Sequence, residues 1–198
     1  MHDYSVRGHA RERQIYLLAA LAFSMMPLLT SLSGWVGVTI SIGTASLFGG
    51  IFWVFDRIVW HWPPVLKVLG FCNINGMWEV VGQRLNSDGT TASEWTGQMT
   101  IVQTWSRLAV VLKTDQSMST SGPASLSREE GVGFRLLYTY TNEPEPNQPA
   151  LQIHRGTCEL VFADTCSDGT GIYFNDQHRL TFGRMQLKKI VSTRKESA

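Results

Sequence analysis

NINGMWEVVGQRL, residues 73–85, opens the polar part of the chain directly after a long apolar stretch. Gly76, one spacer and Trp78 are followed by strict alternation, with Trp78, Val80, Gly82 and Arg84 on one side. Period two is the signature of a half-buried β-strand, and a large tryptophan selects the buried side. Small β-barrels often begin their first strand with such a glycine–tryptophan pair. The regions on either side of this stretch therefore need separate readings.

Downstream, the pattern repeats without a convincing helix. After the turn Asn86-Ser87-Asp88-Gly89 come the strand-like segments 93–104, 107–114 and 116–121, the last ended by Gly122-Pro123. Segments 133–141, 151–163, 169–175 and 179–190 follow, separated by proline-rich or Asp-Gly turns. Together with 77–85 they make about eight strands on short links, the pattern of an all-β sandwich or barrel. The expected fold is an antiparallel up-and-down, lipocalin-like barrel over residues 76–190, because closure removes exposed strand edges. A two-sheet sandwich is the alternative. Residues 191–198 read as a solvated tail.

Upstream, residues 14–55 contain no Asp, Glu, Lys or Arg. A membrane-spanning helix needs about 20 apolar residues, so this window has room for two. Residues 15–32 and 36–55 are the expected spans, with a tight hairpin at Ser33-Gly34 and tryptophans 53, 60 and 62 at the far end. The chain then divides into a cytoplasmic tail at 1–13, a transmembrane helical hairpin at 14–62 and a linker at 63–75. Arg7, Arg11 and Arg13 precede the first span and Arg57 and Lys67 follow the second, which places both ends and the barrel in the cytoplasm. A cleaved signal peptide is disfavoured by the length of the stretch, by Pro27 and by the second span. Gly37, Ser41, Ala45 and Gly49 recur every four residues, a small-residue face suited to close helix packing between protomers or against the first span.

Residues 65–198 carry 13 Lys+Arg and 13 Asp+Glu, so this part is neutral and not a general clamp for DNA or RNA. Cys72, Cys158 and Cys166 are odd in number and lack a CxxC pair; three ordinary thiols in a reducing compartment are expected, without metal or cofactor. There is no P-loop, no GxSxG elbow and no HExxH, so nothing asks for catalysis.

Strand parity gives the inward faces. Beside the Trp78 face these are Phe134, Leu136, Tyr138 and Tyr140; Gln152, His154, Gly156, Cys158, Leu160 and Phe162; Gly171, Tyr173 and Asn175; and Arg179, Thr181, Gly183 and Met185. Each face is oily at one end and polar at the other. An eight-stranded barrel holds one small ligand. Tyrosines stack on flat rings and arginines pair with phosphates, a combination that suits a nucleotide-like anion. The plainer alternative leaves the tyrosines as ordinary strand aromatics and the arginines in solvent.

The order of short patterns after the membrane hairpin completes the reading. GMW (76–78), SEWTGQMTIVQTW (93–105), LLYTYTNEP (136–144), HRGTCEL (154–160) and GTGIYF…FGRMQL (169–187) resemble the SMODS-associated two-transmembrane, β-strand-rich effectors of bacterial CBASS antiphage defence. That resemblance implies a barrel that binds a cyclic dinucleotide messenger and a ligand-driven homo-oligomer of membrane helices. It also implies disruption of the bacterial inner membrane and death of the infected cell, with no bond made or broken. Tyr138, Tyr140, His154 and Tyr173 are assigned to bases and sugars, and Arg84 and Arg179 to phosphates. A membrane-tethered carrier of a lipid or other small apolar ligand is the rival function. An interaction module and a tethered hydrolase follow behind.

Overall fold

The computed structural model describes residues 1–7, 11–36, 43–148, 152–177 and 179–190. The chain forms two compact units, one of residues 8–69 and one that joins residues 1–7 to residues 70–198.

The larger unit contains nine strands: β1 (His2–Arg7), β2 (Gly76–Leu85), β3 (Thr91–Gln103), β4 (Arg107–Lys113), β5 (Ser117–Glu129), β6 (Gly133–Pro144), β7 (His154–Phe162), β8 (Asp168–Asn175) and β9 (Phe182–Lys189). From β2 to β9 each strand pairs antiparallel with the next, and β9 returns to β2, so the sheet closes into a barrel. Local chemistry enforces the meander. In the β2–β3 turn the Asp88 carboxylate accepts from the Thr90 backbone N–H at 2.9 Å and Gly89 supplies φ +85°. Burial alternates along β2, β6, β7, β8 and β9 and selects the inward faces expected from parity, except that Gln152 precedes β7 and is exposed and that Arg179 and Thr181 precede β9.

Two expectations about the strands are corrected. Residues 2–7 are a ninth strand rather than part of a tail. His2 and Asp3 lie opposite Leu108 and Arg107, while Tyr4–Arg7 run parallel to Ala124–Ser127. Gly122-Pro123 does not end β5; the register shifts between Ser121 and Ala124 and the strand continues to Glu129. A proline without an N–H is tolerated at such an irregularity.

One end of the barrel is filled. Trp78, Ile74, Met99, Ile101, Leu136, Leu160 and Phe162 are fully buried there, with the Trp78 and Phe162 rings 5.0 Å apart. The Trp78 indole N–H donates to the Ile74 carbonyl at 3.1 Å, so its polar edge is satisfied. Gln103, also buried, accepts from the Ile74 N–H at 3.0 Å and donates to the Tyr4 hydroxyl at 3.3 Å. At the same end Cys72 and Cys166 form a disulfide, with Cα atoms 6.4 Å apart. Only Cys158 is free and buried among the described cysteines, so the expectation of three thiols is overturned. The barrel brings together two residues separated by 94 positions, which sequence spacing does not reveal.

In the helical unit, α1 (Arg11–Val36), α2 (Thr44–Arg57) and α3 (Pro63–Leu69) follow in order, with a 3-10 turn at Val59–His61. Among the described residues one helix, over Arg11–Leu32, is long and apolar enough to cross a membrane. The helical path continues through Ser33-Gly34, so the expected hairpin turn is not there. α2 has 14 residues, about 21 Å at 1.5 Å per residue, against a hydrocarbon core of about 30 Å. Within the stretch read as linker, residues 63–69 are helical. Gly37 and Ser41 lie outside the described residues. Ala45 and Gly49 are exposed, and a Cβ added at Gly49 would meet nothing within 4 Å.

Candidate ligand-binding site

Above the filled end the barrel interior opens into a cavity of about 540 Å³. Its floor includes Tyr138, Cys158 and Met185, and its walls carry Arg84, Trp95, Ser119, Ser121, Tyr140, Asn142, His154, Tyr173, Asn175, Arg179 and Thr181. The six residues singled out from sequence, Arg84, Tyr138, Tyr140, His154, Tyr173 and Arg179, all line it. Sequence reasoning left out Trp95, Asn142 and the serines of β5.

The aromatic wall is shaped by glycines. Trp95, Tyr140 and Tyr173 are the register partners of Gly82, Gly156 and Gly183 on neighbouring strands. A Cβ on any of these three glycines would collide with the facing ring. Each ring therefore lies across a glycine, which holds it against the wall and keeps the centre of the cavity open. The Trp95 and Tyr173 rings meet edge to face at 6.0 Å, and the Trp95 indole N–H donates to the Tyr173 hydroxyl at 3.3 Å. The Tyr140 hydroxyl donates to Asn175 Oδ1 at 2.7 Å, and the Asn175 amide donates to Thr181 Oγ1 at 2.6 Å. Opposite, the Ser119 hydroxyl donates to Asn142 Oδ1 at 2.7 Å.

Burial raises the pKa of Tyr138, Tyr140 and Tyr173, and it pushes the Cys158 thiol up to about 12. These groups stay protonated at neutral pH, so the cavity carries no phenolate and its buried thiol is not a nucleophile. The nearby Arg84 and Arg179 charges oppose the rise at Tyr173, which shows that both guanidinium groups act on the same region. Among the described residues neither arginine has a carboxylate within salt-bridge distance.

His154 is the remaining titratable group. Its Nδ1 lies 3.0 Å from the Gln152 carbonyl oxygen and 3.4 Å from an Arg179 Nη. The carbonyl accepts only, so Nδ1 carries the proton in the neutral ring. The Arg179 N–H that points at Nδ1 then faces another donor. Burial lowers the His154 pKa, the Gln152 carbonyl offsets part of that shift, and Arg179 adds to it.

A cavity open at one end, with one aromatic wall, one amide-and-hydroxyl wall and two arginines without carboxylate partners among the described residues, suits flat, polar, negatively charged molecules. Residues 69–189 match the family model described as Cap15, cyclic dinucleotide receptor domain. The chain belongs to the Cap15 family. A relative from Yersinia aleksiciae, CD-NTase-associated protein 15, is 35% identical over 149 residues, covering 75% of this chain and 70% of that protein. The span of the Cap15 match begins at the last residue of α3 and contains β2–β9, so the cavity lies wholly within it.

Proposed function

We propose that this Cap15-family chain is a CBASS effector whose barrel binds a cyclic dinucleotide in the cavity. The observation that carries the reading is the convergence of Arg84 and Arg179 beside an aromatic wall. The arginines take the phosphates, while Trp95, Tyr140 and Tyr173 take the bases and sugars. A lipid carrier would want an apolar interior, and the Asn142, Asn175 and His154 lining argues against one. No chemical step is required of the protein.

In this reading α1 and the apolar α2 that follows it insert in the bacterial inner membrane, with the barrel in the cytoplasm. Ligand binding favours an assembled state, and the assembled helices disrupt the membrane of the infected cell. The open face at Ala45 and Gly49 supports packing between protomers over packing on the first span. The Cys72–Cys166 bond pulls against a reducing compartment. Alkylation under denaturing conditions of chain taken straight from cells decides that point: one modified thiol means the bond holds there, and three mean it does not.

The direct experiment is calorimetric screening of the full chain in detergent against a panel of cyclic dinucleotides. Micromolar or tighter binding of one member is expected; binding of fatty acids instead would overturn the reading. Ala45→Leu tests the assembly step. It is expected to block ligand-dependent assembly and vesicle leakage while affinity stays unchanged, and a matching loss of affinity would refute that separation of roles.

A further inference from the structure

The seam between β4 and β5 is built unlike any other in the barrel. Their direct pairing covers only Val111–Lys113 against Met118–Thr120. One step further, the Val110 N–H donates to the Ser121 hydroxyl oxygen at 2.8 Å instead of to a backbone carbonyl. Gly122 and Pro123 follow, and proline has no N–H with which to continue a ladder. The two strands part at this point, and β1 enters between them. Its His2 Nε2 lies 2.9 Å from the same Ser121 Oγ. Ser121 also lines the cavity, so one hydroxyl joins the end of the β4–β5 ladder, the inserted strand and the ligand space.

The seam holds β1 lightly. Over residues 2–6 of the strand, Tyr4, 3% exposed, is the one buried side chain. Pairing with β4 covers two residues and pairing with β5 four. The Asp3–Arg107 ion pair is exposed, and such pairs contribute little. Strands anchored by so few buried groups come from the low-stability end of a fold. In sequence β1 leads through residues 8–10 into α1, so the helical segment is joined to barrel strands at both of its ends.

We propose that β1 is a releasable clasp set by occupancy of the cavity. A ligand oxygen that takes the Ser121 hydroxyl displaces His2, β1 leaves the seam, and the amino-terminal end of the helical segment is freed from the barrel. This rests on the cyclic dinucleotide reading of the cavity. It supplies what any ligand-driven switch needs, a contact that differs between the two states. Reciprocity follows: whatever holds β1 in place weakens the ligand, and whatever loosens β1 strengthens it.

The test uses the full chain in detergent and the cyclic dinucleotide with the highest affinity in the screen. Hydrogen exchange followed by mass spectrometry is expected to show residues 2–7 losing protection when ligand is added. Ser5→Cys with Ser125→Cys, which are register partners, locks the strand by a disulfide. The locked chain is expected to bind at least about fivefold more weakly, with affinity restored by reductant. The unsubstituted chain, measured with and without reductant, accounts for any effect of opening Cys72–Cys166. His2→Ala frees the Ser121 hydroxyl and is expected to bind more tightly. Ligand binding with unchanged or increased protection of residues 2–7, or a lock that leaves affinity intact, overturns the clasp and leaves the reading of the cavity standing. Weaker binding by His2→Ala also overturns it, because His2 would then be a ligand contact. Absence of binding by every cyclic dinucleotide overturns both, which separates that failure from the others.

Discussion

Trp78 and Arg84 stand six residues apart on the same face of β2, yet one is fully buried and the other is exposed at the cavity mouth. From Leu136 to Asn142 on β6 and from Phe162 to His154 on β7 both ends are buried, but the apolar group gives way to a polar one that lines the cavity. Alternation decides which side chains enter the barrel, and distance along the strand decides what they do there. At the filled end large apolar groups interlock and polar atoms are satisfied internally. At the open end glycines hold the rings back against the wall and leave polar groups facing space. One end stabilises the fold and the other is available for recognition.

The comparison breaks first if the filled end proves dispensable. Trp78→Ala is expected to destabilise the chain by about 3–5 kcal/mol, because a fully buried indole is lost and a cavity replaces it. Denaturant unfolding measures this, and a loss below about 1 kcal/mol would show that the closed end is not the core. The open end should respond oppositely. Arg84→Ala and Arg179→Ala are each expected to leave the unfolding midpoint within about 0.5 kcal/mol of the parent, as surface changes usually do. Each should weaken cyclic dinucleotide binding by about 1.5–3 kcal/mol, roughly 10- to 100-fold, through loss of a charge-assisted hydrogen bond. Unchanged affinity in both would refute the phosphate role.

His154 gives the smallest effect and sharpens the contrast further. Burial, which lowers its folded pKa, leaves it neutral in the free chain at neutral pH. A bound phosphate favours the protonated ring, so the complex takes up a proton. Affinity should therefore rise severalfold as pH falls from neutral through the raised pKa of the complex, and level off below the lowered pKa of the free chain. Stability without ligand runs the other way. The unfolded chain protonates this histidine more readily, so stability declines as pH drops below about 6.5. Calorimetry in two buffers of different ionisation enthalpy measures the proton uptake, and His154→Gln should abolish it.

Much of the barrel was legible because period two and Asn/Asp/Gly turns are local signals. Segments 77–85, 107–114 and 169–175 fall within a residue or so of β2, β4 and β8. Arg84 and the tyrosines of the cavity followed from parity alone, whereas Arg179, expected on the last strand, lines the cavity from the turn before β9. What escaped has non-local causes. HDYSVR reads as part of a cytoplasmic tail, because its strand character depends on a seam made by residues far downstream. Trp95 escaped because its place on the wall is set by Gly82 across the register. Gly122-Pro123 looks like a stop in sequence, and only the presence of β1 turns it into a branch point. Ser33-Gly34 looks like a hairpin, but a helix-interior glycine costs only about 1 kcal/mol relative to alanine, too little to end a 26-residue helix.

The place of β1 also fixes the order in which the molecule is made. Its partners Leu108 and Ala124 are synthesised more than a hundred residues after His2 and Tyr4. At about 5–20 residues per second, the first strand stands unpaired for roughly 5–25 s. During that interval the whole apolar segment leaves the ribosome. The helices are therefore made before β1 has either of its partners, although β1 precedes them in sequence.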